Sequence, residues 1–438
     1  MKQKQNHFTA TPAIREEFTL KKATLLGGYN LFKDFLDKIG FENTLQQCIG
    51  FGKNQNAKYP LWKVIALMAE GYAVGLERLY HFQSIENDPL MKLKHGIEKL
   101  PDFTLYSKDL NRFTGPASLL PLKEANRKLV KGAIQKEGQV IIDFDSTVQI
   151  VYGNQEGAAI GYNPKKRGRK SYQPLLAYTT SGWGLNGHLR PGNVRSSDDI
   201  VPFMEETFAL VPQGVSILAR LDSGFDAEKL LSYVEFRHIG YVVKLRAFDP
   251  LKLSILKIPK VKYQKFYQSG RELEVVRIRY QAGSWERERS VIVVRWKADD
   301  GTQGSFFDEL EYCYVALVTN LDWDPLDIYL FYNHRGICEN QVKESKLGLH
   351  SSKICSKSFF ANAADLLLKL LAFNLIRLFQ KKILPKRNGF LTAATLRRIF
   401  FYIPGRLVHT GRAWILKLQA EFAYQAEWVR MRKALARC

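Results

Sequence analysis

The sequence contains few cysteines, and they form no recognisable pattern. There are five in 438 residues, odd in number, scattered and without a Cys-x-x-Cys pair: Cys48, Cys313, Cys338, Cys355 and Cys438. A disulfide framework normally shows an even, closely spaced set, and structural zinc sites normally show paired Cys-x-x-Cys motifs. The sequence therefore excludes both kinds of site, and we expect free thiols.

An export signal and an uninterrupted apolar span are also missing. The first ten residues, MKQKQNHFTA, have no apolar core, and Lys369 and Asn374 interrupt the most hydrophobic later stretch, residues 364–379. A signal peptide needs an apolar region of roughly 7–15 residues, and a membrane helix needs about 20 predominantly apolar ones. We therefore expect a cytoplasmic protein that does not span or bind a membrane.

Negative charge is scarce. The chain has 65 Lys and Arg against 43 Asp and Glu, a formal net charge of +22. Residues 377–438 alone hold fourteen Lys or Arg and two acids, Glu421 and Glu427. Basic segments also bind membranes or keep proteins soluble, but this excess without a strong amphipathic, aromatic face favours a nucleic acid as partner. We expect the C-terminal region to lie along DNA.

Residues 324–348, DPLDIYLFYNHRGICENQVKESKLG, form the most informative segment. Asp324 suits the N-cap, Pro325 the first helical position and Gly348 the helix end, which predicts a single helix. At roughly 100° per residue, five polar side chains of this helix lie within an arc of about 80°: Tyr332, Arg335, Glu339, Lys343 and Lys346. Charged helix faces are commonly only solvated, but here one carboxylate lies among four groups suited to contacting phosphates.

Three further candidate carboxylates lie in two predicted strands. Residues 139–152, QVIIDFDSTVQIVY, are typical of a strand with Asp143 and Asp145 on the same face. Residues 215–225, VSILARLDSGF, predict a short strand that ends at Asp222, the position where α/β sheets usually form their sites. An ordinary turn or cap is the alternative for each aspartate, although aspartate inside a strand is unfavourable and needs a reason.

These motifs together resemble a known family. The order Tyr332, Arg335, Glu339, Lys346 resembles the Tyr-Arg-Glu-Lys signature of bacterial insertion-sequence transposases with an Asp-Asp-Glu active site. The triplet that begins at Asp145, Asp-Ser-Thr, resembles the first-aspartate motif of these enzymes. Residues 161–169, GYNPKKRGR, resemble the insertion-sequence thirteen-eighty group in particular, and the whole resemblance covers roughly residues 139–380.

The resemblance implies a metal-dependent active site. Asp145, Asp222 and Glu339 would be the catalytic residues and the ligands of two Mg²⁺ ions, with Mn²⁺ as an alternative; Asp143 is the fallback for Asp145, and both could be needed. Two such ions about 4 Å apart suit carboxylate ligands and phosphodiester chemistry. The implied activity is cut-and-paste transposition by a bacterial protein in the cytoplasm, associated with the nucleoid. A homodimer would bind the terminal inverted repeats of its element, cleave the DNA there and join the released ends to target DNA.

The same reasoning predicts two groups of DNA contacts. The first is the rest of the helical stripe: Tyr332, Arg335, Lys343 and Lys346. The second is a basic run that follows the first predicted strand and would clamp phosphates, unless it is only a solvated loop: Lys165, Lys166, Arg167, Arg169 and Lys170.

The resemblance implies an α/β fold with a ribonuclease-H-like mixed sheet at its core, and the chain divides into five parts. These are a helical N-terminal DNA-binding region (1–136), the first part of the core (137–242), a β-rich insertion (243–317), the second part of the core (318–380) and a basic helical C-terminal region (381–438). Apolar residues at three- and four-residue spacing predict N-terminal helices at 31–39, 61–80 and 121–136. These helices either recognise DNA as a helix-turn-helix or only pack on the core.

Two other functions are compatible with these features. A metal-dependent DNA endonuclease without strand transfer would use the same three carboxylates. A DNA-binding protein with a catalytically retired centre would still use the basic C-terminal region, although three intact acids argue against it.

Overall fold

The computed structural model describes residues 14–54, 56–164, 166–246, 248–268, 270–297, 312–385 and 390–437. The N-terminal part is helical apart from one short strand. Its elements are β1 (Ala23–Thr24), α1 (Tyr29–Lys38), α2 (Phe41–Cys48), α3 (Leu61–Val74), α4 (Pro89–His95), α5 (Phe103–Leu110) and α6 (Pro116–Gln135).

The three helices predicted in this part are confirmed with shifted bounds. Helix α3 ends where Gly75 takes a positive φ of 109°, a conformation that glycine adopts without steric penalty. Helix α6 begins earlier than predicted, at Pro116, because proline is favoured in the first helical turn.

The central part of the chain supplies most of the strands. They are β2 (Gln139–Ser146), β3 (Gln149–Ile150), β4 (Ala159–Ile160), β5 (Lys170–Tyr172), β6 (Leu175–Thr179), β7 (Gly184–His188), β8 (Ser216–Leu221), β9 (Gly240–Lys244), β10 (Gln264–Gln268), β11 (Arg271–Tyr280), β12 (Arg289–Lys297) and β13 (Tyr312–Thr319). Between and after them lie α7 (Ile200–Ala209), α8 (Glu228–Phe236), α9 (Asp249–Leu256), α10 (Pro325–Asn333), α11 (Gly336–Gly348) and α12 (Phe359–Ile383).

Nine of these strands form one mixed sheet in the order β10-β11-β12-β13-β9-β8-β2-β6-β7. Strand β2 is parallel to β8, and β8 is parallel to β9, whereas β6 and β7 are antiparallel additions on the other side of β2. Because β13 pairs with β9, the strands predicted as an insertion continue this sheet. The carboxyl ends of the adjacent strands β2 and β8 meet at one edge, where Asp145 and Asp222 lie.

Helix α12 packs on the sheet and on the N-terminal helices. Asn374, fully buried on it, accepts a hydrogen bond from Gly184 N at 2.9 Å and donates one to Asn126 Oδ1 at 2.7 Å, so it joins α12 to β7 and α6. Among the described residues, α12 is the one helix long and apolar enough to cross a membrane, but 89% of its most apolar window is buried inside the protein. Such burial is typical of a core helix.

The C-terminal region corrects the expectation of an entirely helical segment. It contains α13 (Ala393–Leu396), a π-helical turn (Arg397–Phe401), β14 (Gly405–Thr410), β15 (Ala413–Leu418) and α14 (Gln425–Arg437). Strands β14 and β15 form a hairpin because Gly411, with φ 55°, allows a two-residue turn. Strand β14 also pairs with β1, so the two terminal regions share a three-stranded sheet.

Candidate active site

The helix predicted over residues 324–348 is in fact two helices, α10 and α11. Asp324 is confirmed as the N-cap of α10, since its side chain accepts a backbone N–H at 2.8 Å, and Gly348 is the last residue of α11. At the junction, Arg335 N donates to Tyr332 O and Cys338 N donates to Arg335 O, both at 2.8 Å. These bonds span three residues and tighten the chain there. The interruption places Arg335 immediately before α11.

Arg335 joins the three predicted catalytic carboxylates. Its Nη2 lies 2.8 Å from Asp145 Oδ1 and 3.9 Å from Asp222 Oδ2, and its Nη1 lies 3.4 Å from Glu339 Oε1. Arg335 Nη2 also donates to Phe144 O at 3.3 Å. The structure therefore brings Asp145, Asp222 and Glu339 together around one guanidinium. Arg335 is only 6% exposed and contacts these acids, so its predicted contact with DNA remains a prediction.

The three carboxylates differ in exposure. The side chain of Asp145, near the end of β2, is 17% exposed, that of Asp222 is 39% exposed, and that of Glu339 in the first turn of α11 is 70% exposed. Asp222 is also the N-cap of a short 3₁₀ helix, because its Oδ1 accepts from Gly224 N at 2.7 Å. Asp145 and Asp222 are thus fixed by the sheet edge, whereas Glu339 has room to move.

The pKa values at this cluster are shifted by burial and charge. Burial raises the pKa of Asp145 above its ordinary value, the nearby Asp222 raises it further, and the Arg335 guanidinium opposes both effects. Burial alone lowers the pKa of Arg335, but Asp145 and its other neighbours raise it overall. The guanidinium therefore stays charged and favours the ionised form of Asp145.

Asp143 occupies a different environment from Asp145. Arg220, aligned with it across the parallel β2–β8 pair, donates from Nε and Nη2 to its two carboxylate oxygens, both at 2.8 Å. Both residues are fully buried, and Arg220 also donates to Phe331 O and Thr180 Oγ1. Because both oxygens of Asp143 are engaged by one buried guanidinium, this arrangement favours Asp145 as the site residue and argues against the fallback.

The remaining residues of the predicted helical stripe point in different directions. Lys346 Nζ donates to Thr147 Oγ1, which ties α11 to the loop after β2. Tyr332 is half-buried at the end of α10, and burial raises its pKa well above its ordinary range. Lys343 is exposed on the outer face of α11. Lys346 thus faces the site, while Lys343 is available to solvent or a partner.

A cleft of about 740 Å³ opens beside Asp222. Thr147, Asp222 and Lys346 line one part of it, and residues that the sequence analysis did not single out line the rest, among them Tyr162, Asn163, Asn193, Arg195 and Arg246. The Nε of Arg246 donates to Ser223 O at 2.7 Å, directly after Asp222. Arg246 follows β9, the parallel neighbour of β8, so the strand-end argument that identified Asp222 would also have found it.

The predicted basic run lies at the margin of this cleft. Lys165 is outside the described residues, and the other four are exposed: Lys166, Arg167, Arg169 and Lys170. They connect β4 to β5 directly after Pro164, which lines the cleft. Lys166 Nζ donates to Tyr152 OH at 2.7 Å, and Lys170 Nζ donates to Asn154 Oδ1 at 3.1 Å. The run therefore follows directly after a residue that lines the cleft, and its contact with phosphates remains a prediction.

The donor set of this cluster fits divalent cations. Three carboxylates supply the hard oxygen ligands that Mg²⁺ and Mn²⁺ prefer. The guanidinium of Arg335 lies between the oxygens of these carboxylates, and its positive charge offsets the repulsion among the three negative charges. Ligation of a common ion would thus require the carboxylates to turn from Arg335, and the exposed Glu339 is the freest to do so.

A second group of acids lies among the N-terminal helices. The ligand atoms of Glu42, Glu70 and His95 all lie within 4.8 Å of one another, the one such group found in the described part of the chain. Lys33, only 2% exposed, donates to Glu42 Oε1 at 2.7 Å and lies 3.7 Å from Glu70 Oε1. Because an ammonium already supplies positive charge there, we interpret this group as an internal ionic network.

Known proteins are similar to this chain over nearly its whole length. A family model described as transposase DDE domain group 1 matches residues 6–438. Among curated proteins, no sequence matches the chain. Among solved structures, the chain is similar to one described as the cryo-EM structure of the piggyBac transposase synaptic complex with hairpin DNA, with 11% identity, a TM-score of 0.44, and coverage of 93% of this chain and 81% of that chain. A likeness of this degree transfers no residue's role.

Proposed function

The chain belongs to the family of transposases with a group 1 DDE domain, and from this premise we propose that it moves an insertion sequence by cut-and-paste transposition. In this proposal the protein binds the terminal inverted repeats of its element, cleaves the DNA there and joins the released 3′ ends to target DNA. The single observation that carries the proposal is the convergence of Asp145, Asp222 and Glu339 on Arg335.

The proposal includes a ribonuclease-H-like core. The strand order β7-β6-β2-β8-β9, with two antiparallel strands on one side of β2 and two parallel strands on the other, supports this fold. Membership of the insertion-sequence thirteen-eighty group is supported by residues 161–169 and by the Tyr-Arg-Glu-Lys order in the sequence. The five-part division of the chain is retained with two changes, since strands β10 to β13 continue the main sheet and the C-terminal part contains β14 and β15 as well as helices.

Asp145, Asp222 and Glu339 would hold the divalent cations, which we propose to be two Mg²⁺ ions, with Mn²⁺ as the alternative. When bound, such ions activate an attacking oxygen and stabilise a leaving oxygen in phosphodiester cleavage. Burial raises the pKa of Asp145, and the Arg335 guanidinium opposes this rise and so favours the ionised form that a metal ligand needs.

The cationic residues around the carboxylates would position the DNA. Lys346 and Arg246 line the cleft beside Asp222, so a phosphate there would meet positive charge from α11 and from the loop after β9. The exposed run from Lys166 to Lys170 would continue this contact along the backbone. Charge-assisted contacts of this kind orient the duplex without reading its sequence.

The proposed partners follow from the reaction. Double-stranded DNA supplies both the terminal inverted repeats and the target, and two ends must be held together, which requires at least a homodimer. We propose that the protein acts on nucleoid DNA in the bacterial cytoplasm.

The experiment that tests the proposal is strand transfer in vitro. Purified protein and Mg²⁺ would be incubated with DNA carrying the element's own ends and with a supercoiled target, beside Glu339→Gln. We expect wild-type protein to give joined products and the cleavage rate of the variant to fall by at least about 100-fold. Substitution of residues that only hydrogen-bond to metal ligands already costs about 10–100-fold in metal affinity or activity. End binding should remain nearly intact, because the change removes no cation.

A matched control is Glu98→Gln, which removes the same charge from an exposed position outside the site. It should cleave and join like the wild type. Cleavage without joining would identify an endonuclease, and end binding without cleavage by the wild type would identify a retired enzyme. Undiminished cleavage by Glu339→Gln would refute the assignment of the third acid.

A further inference from the structure

Strands β14 and β15 form a hairpin, which we call the C-terminal ribbon (residues 405–418). At its base Gly405 and Arg406 also pair with β1, and beyond Arg406 the ribbon is two-stranded. Its base packs on the protein through the buried Leu407. Its outer half does not, since residues 409–415 are all exposed, including Trp414 at 46% and Ile415 at 43%. Thr410 pairs with Ala413 across the turn, so the hairpin is tight up to its tip.

All the charged residues of the C-terminal ribbon are basic. The sequence contains no Asp or Glu from residue 366 to residue 420. Arg406, Arg412 and Lys417 are exposed, and none of them forms an ion pair with any residue that the structure describes. Arg406 lies directly opposite Lys417 in the antiparallel register. Because like charges in this position destabilise a sheet, the free protein retains a repulsion that a polyanion would relieve.

Aromatic side chains lie near the tip on the other face of the ribbon. The rings of His409 and Trp414 have centroids 4.7 Å apart, and Lys22 Nζ lies 4.9 Å from the Trp414 ring centroid. Lys22 directly precedes β1, which pairs with β14, so it adds a further cation to the same small sheet. A cation, Lys22, therefore lies beside the exposed aromatic pair.

We propose that the C-terminal ribbon binds in a groove of duplex DNA. The major groove of B-DNA is about 12 Å wide and admits a two-stranded β-ribbon. In that position the side chains of Arg406 and Lys417 face DNA phosphates, and Arg412, at the turn, lies deepest in the groove. The inference rests on the proposed function in that DNA is the partner, but it concerns a surface that contains none of the three carboxylates.

The alternative occupant is a second copy of the chain paired along the free edge of β15. Such pairing places one basic ribbon against another, with no acidic residue on either strand to compensate. Charge complementarity therefore favours duplex DNA.

The test is the salt dependence of DNA binding by Arg406→Gln/Lys417→Gln. Full-length protein would be titrated, by fluorescence anisotropy, into a linear random-sequence duplex of about 40 base pairs between about 50 and 200 mM salt. Two lost phosphate contacts should reduce the slope of log affinity against log salt by about 1.8 and weaken binding roughly tenfold or more at about 100 mM. Lys260→Gln/Lys262→Gln, which also removes two exposed cations, should keep the wild-type slope.

Folding is checked separately, because the double variant removes a repulsive pair and should melt at or above the wild-type temperature. Arg412→Gln at the turn should lower the slope by about 0.9 without any change in melting temperature. An unchanged slope in both ribbon variants, or an equal loss in the Lys260/Lys262 control, would overturn the proposal. So would a change of oligomeric state in light scattering with an unchanged slope, which would identify a second copy as the occupant.

The two proposals fail separately. Absence of strand transfer by the wild-type protein would overturn the proposed function and leave the duplex-binding result standing. Normal strand transfer together with an unchanged salt slope would overturn the ribbon proposal alone.

Discussion

Arg335 is the residue on which the site depends, because one guanidinium contacts all three carboxylates. Burial favours the neutral form of Asp145, and ligation of a cation requires the ionised form. The positive charge of Arg335 shifts this balance toward ionisation. The residue that the sequence associates with DNA thus also opposes the rise in the pKa of Asp145, which we propose as a metal ligand.

A first prediction concerns the pH dependence of cleavage by Arg335→Ala. Removal of the guanidinium should raise the pKa of Asp145 further, so the acidic limb of the Mg²⁺-dependent rate profile should move to higher pH. On that limb the rate should fall about tenfold per pH unit. Arg335→Lys retains a positive charge and should move the limb less. The measurement is the single-turnover cleavage rate across the pH range, and superimposable limbs in all three proteins would contradict the prediction.

At the residue scale, the motifs identified three carboxylates that the structure brings together, Asp145, Asp222 and Glu339, whose catalytic role remains a prediction. The motifs did not reveal contacts that depend on the register between strands. The Asp-Ser-Thr triplet favoured Asp145 over Asp143, but nothing local in the sequence shows that Arg220 engages Asp143. That contact follows from the alignment of β2 with β8 in a parallel pair. Parallel register is set by the packing of the whole sheet, so a single strand sequence does not specify it.

Among the secondary-structure elements, apolar alternation identified strands and capping residues identified helix ends. Strands β2 and β8 lie where the sequence predicts strands, β11 and β12 lie within the predicted β-rich region 243–317, and Asp324 caps α10 as expected. The break before α11 was missed although Gly336 gave a signal, since glycine within a helical pattern weakens the helix. The hairpin of β14 and β15 was missed because its basic residues obscure the alternation and its turn, Gly411-Arg412, is short.

The N-terminal helices are joined by a buried ionic network. His95, at the end of α4, lies with Nε2 3.1 Å from Glu70 Oε2 on α3 and with Nδ1 3.3 Å from Glu42 Oε1 on α2. Burial alone lowers the pKa of His95, but Glu70 and Glu42 raise it overall above its ordinary value. Lys33 on α1 faces the same acids and opposes this rise. Protonated His95 therefore links three helices.

A second prediction concerns the stability of these helices as a function of pH. Because the folded state raises the pKa of His95, its stabilising contribution is complete below the pKa of an unfolded histidine, about 6.5, and is lost as pH rises through the folded value. His95→Gln should lower the free energy of unfolding by about 3–5 kcal/mol at low pH and by less at high pH. The measurement is urea unfolding at several pH values, and an equal loss at all of them would exclude the protonated link.

At the scale of the whole molecule, the two terminal regions form one packed unit. Phe32 on α1 has its ring centroid 5.4 Å from that of Phe379 on α12 and 5.1 Å from that of Phe401. Arg397, buried, donates to Tyr72 O and Ala73 O, both at 2.8 Å. The basic composition of the C-terminal region was visible in the sequence, but these contacts join residues more than 300 positions apart, which no local pattern reveals.

A third prediction follows for a chain truncated after residue 392. Loss of the later residues uncovers Phe32 and the apolar face of α12, and each large buried side chain contributes about 1.5–3 kcal/mol. The free energy of unfolding of the truncated chain should be lower by more than about 5 kcal/mol, which is a large share of the roughly 5–15 kcal/mol typical of domains. Denaturant unfolding and limited proteolysis would measure this. An unfolding midpoint equal to that of the full chain would show that the C-terminal region is only an appendage.

The pairing of β1 with β14 also has a consequence for how the protein is made. Strand β14 begins 381 residues after β1 ends, a distance that a ribosome covers in about 20–80 s at about 5–20 residues per second. Throughout this interval α1 lacks the C-terminal residues that pack on it, such as Phe401, whose ring centroid lies 5.1 Å from that of Phe32. The nascent chain thus exposes an apolar surface that chaperones recognise, and the speed of translation sets how long that surface stays uncovered.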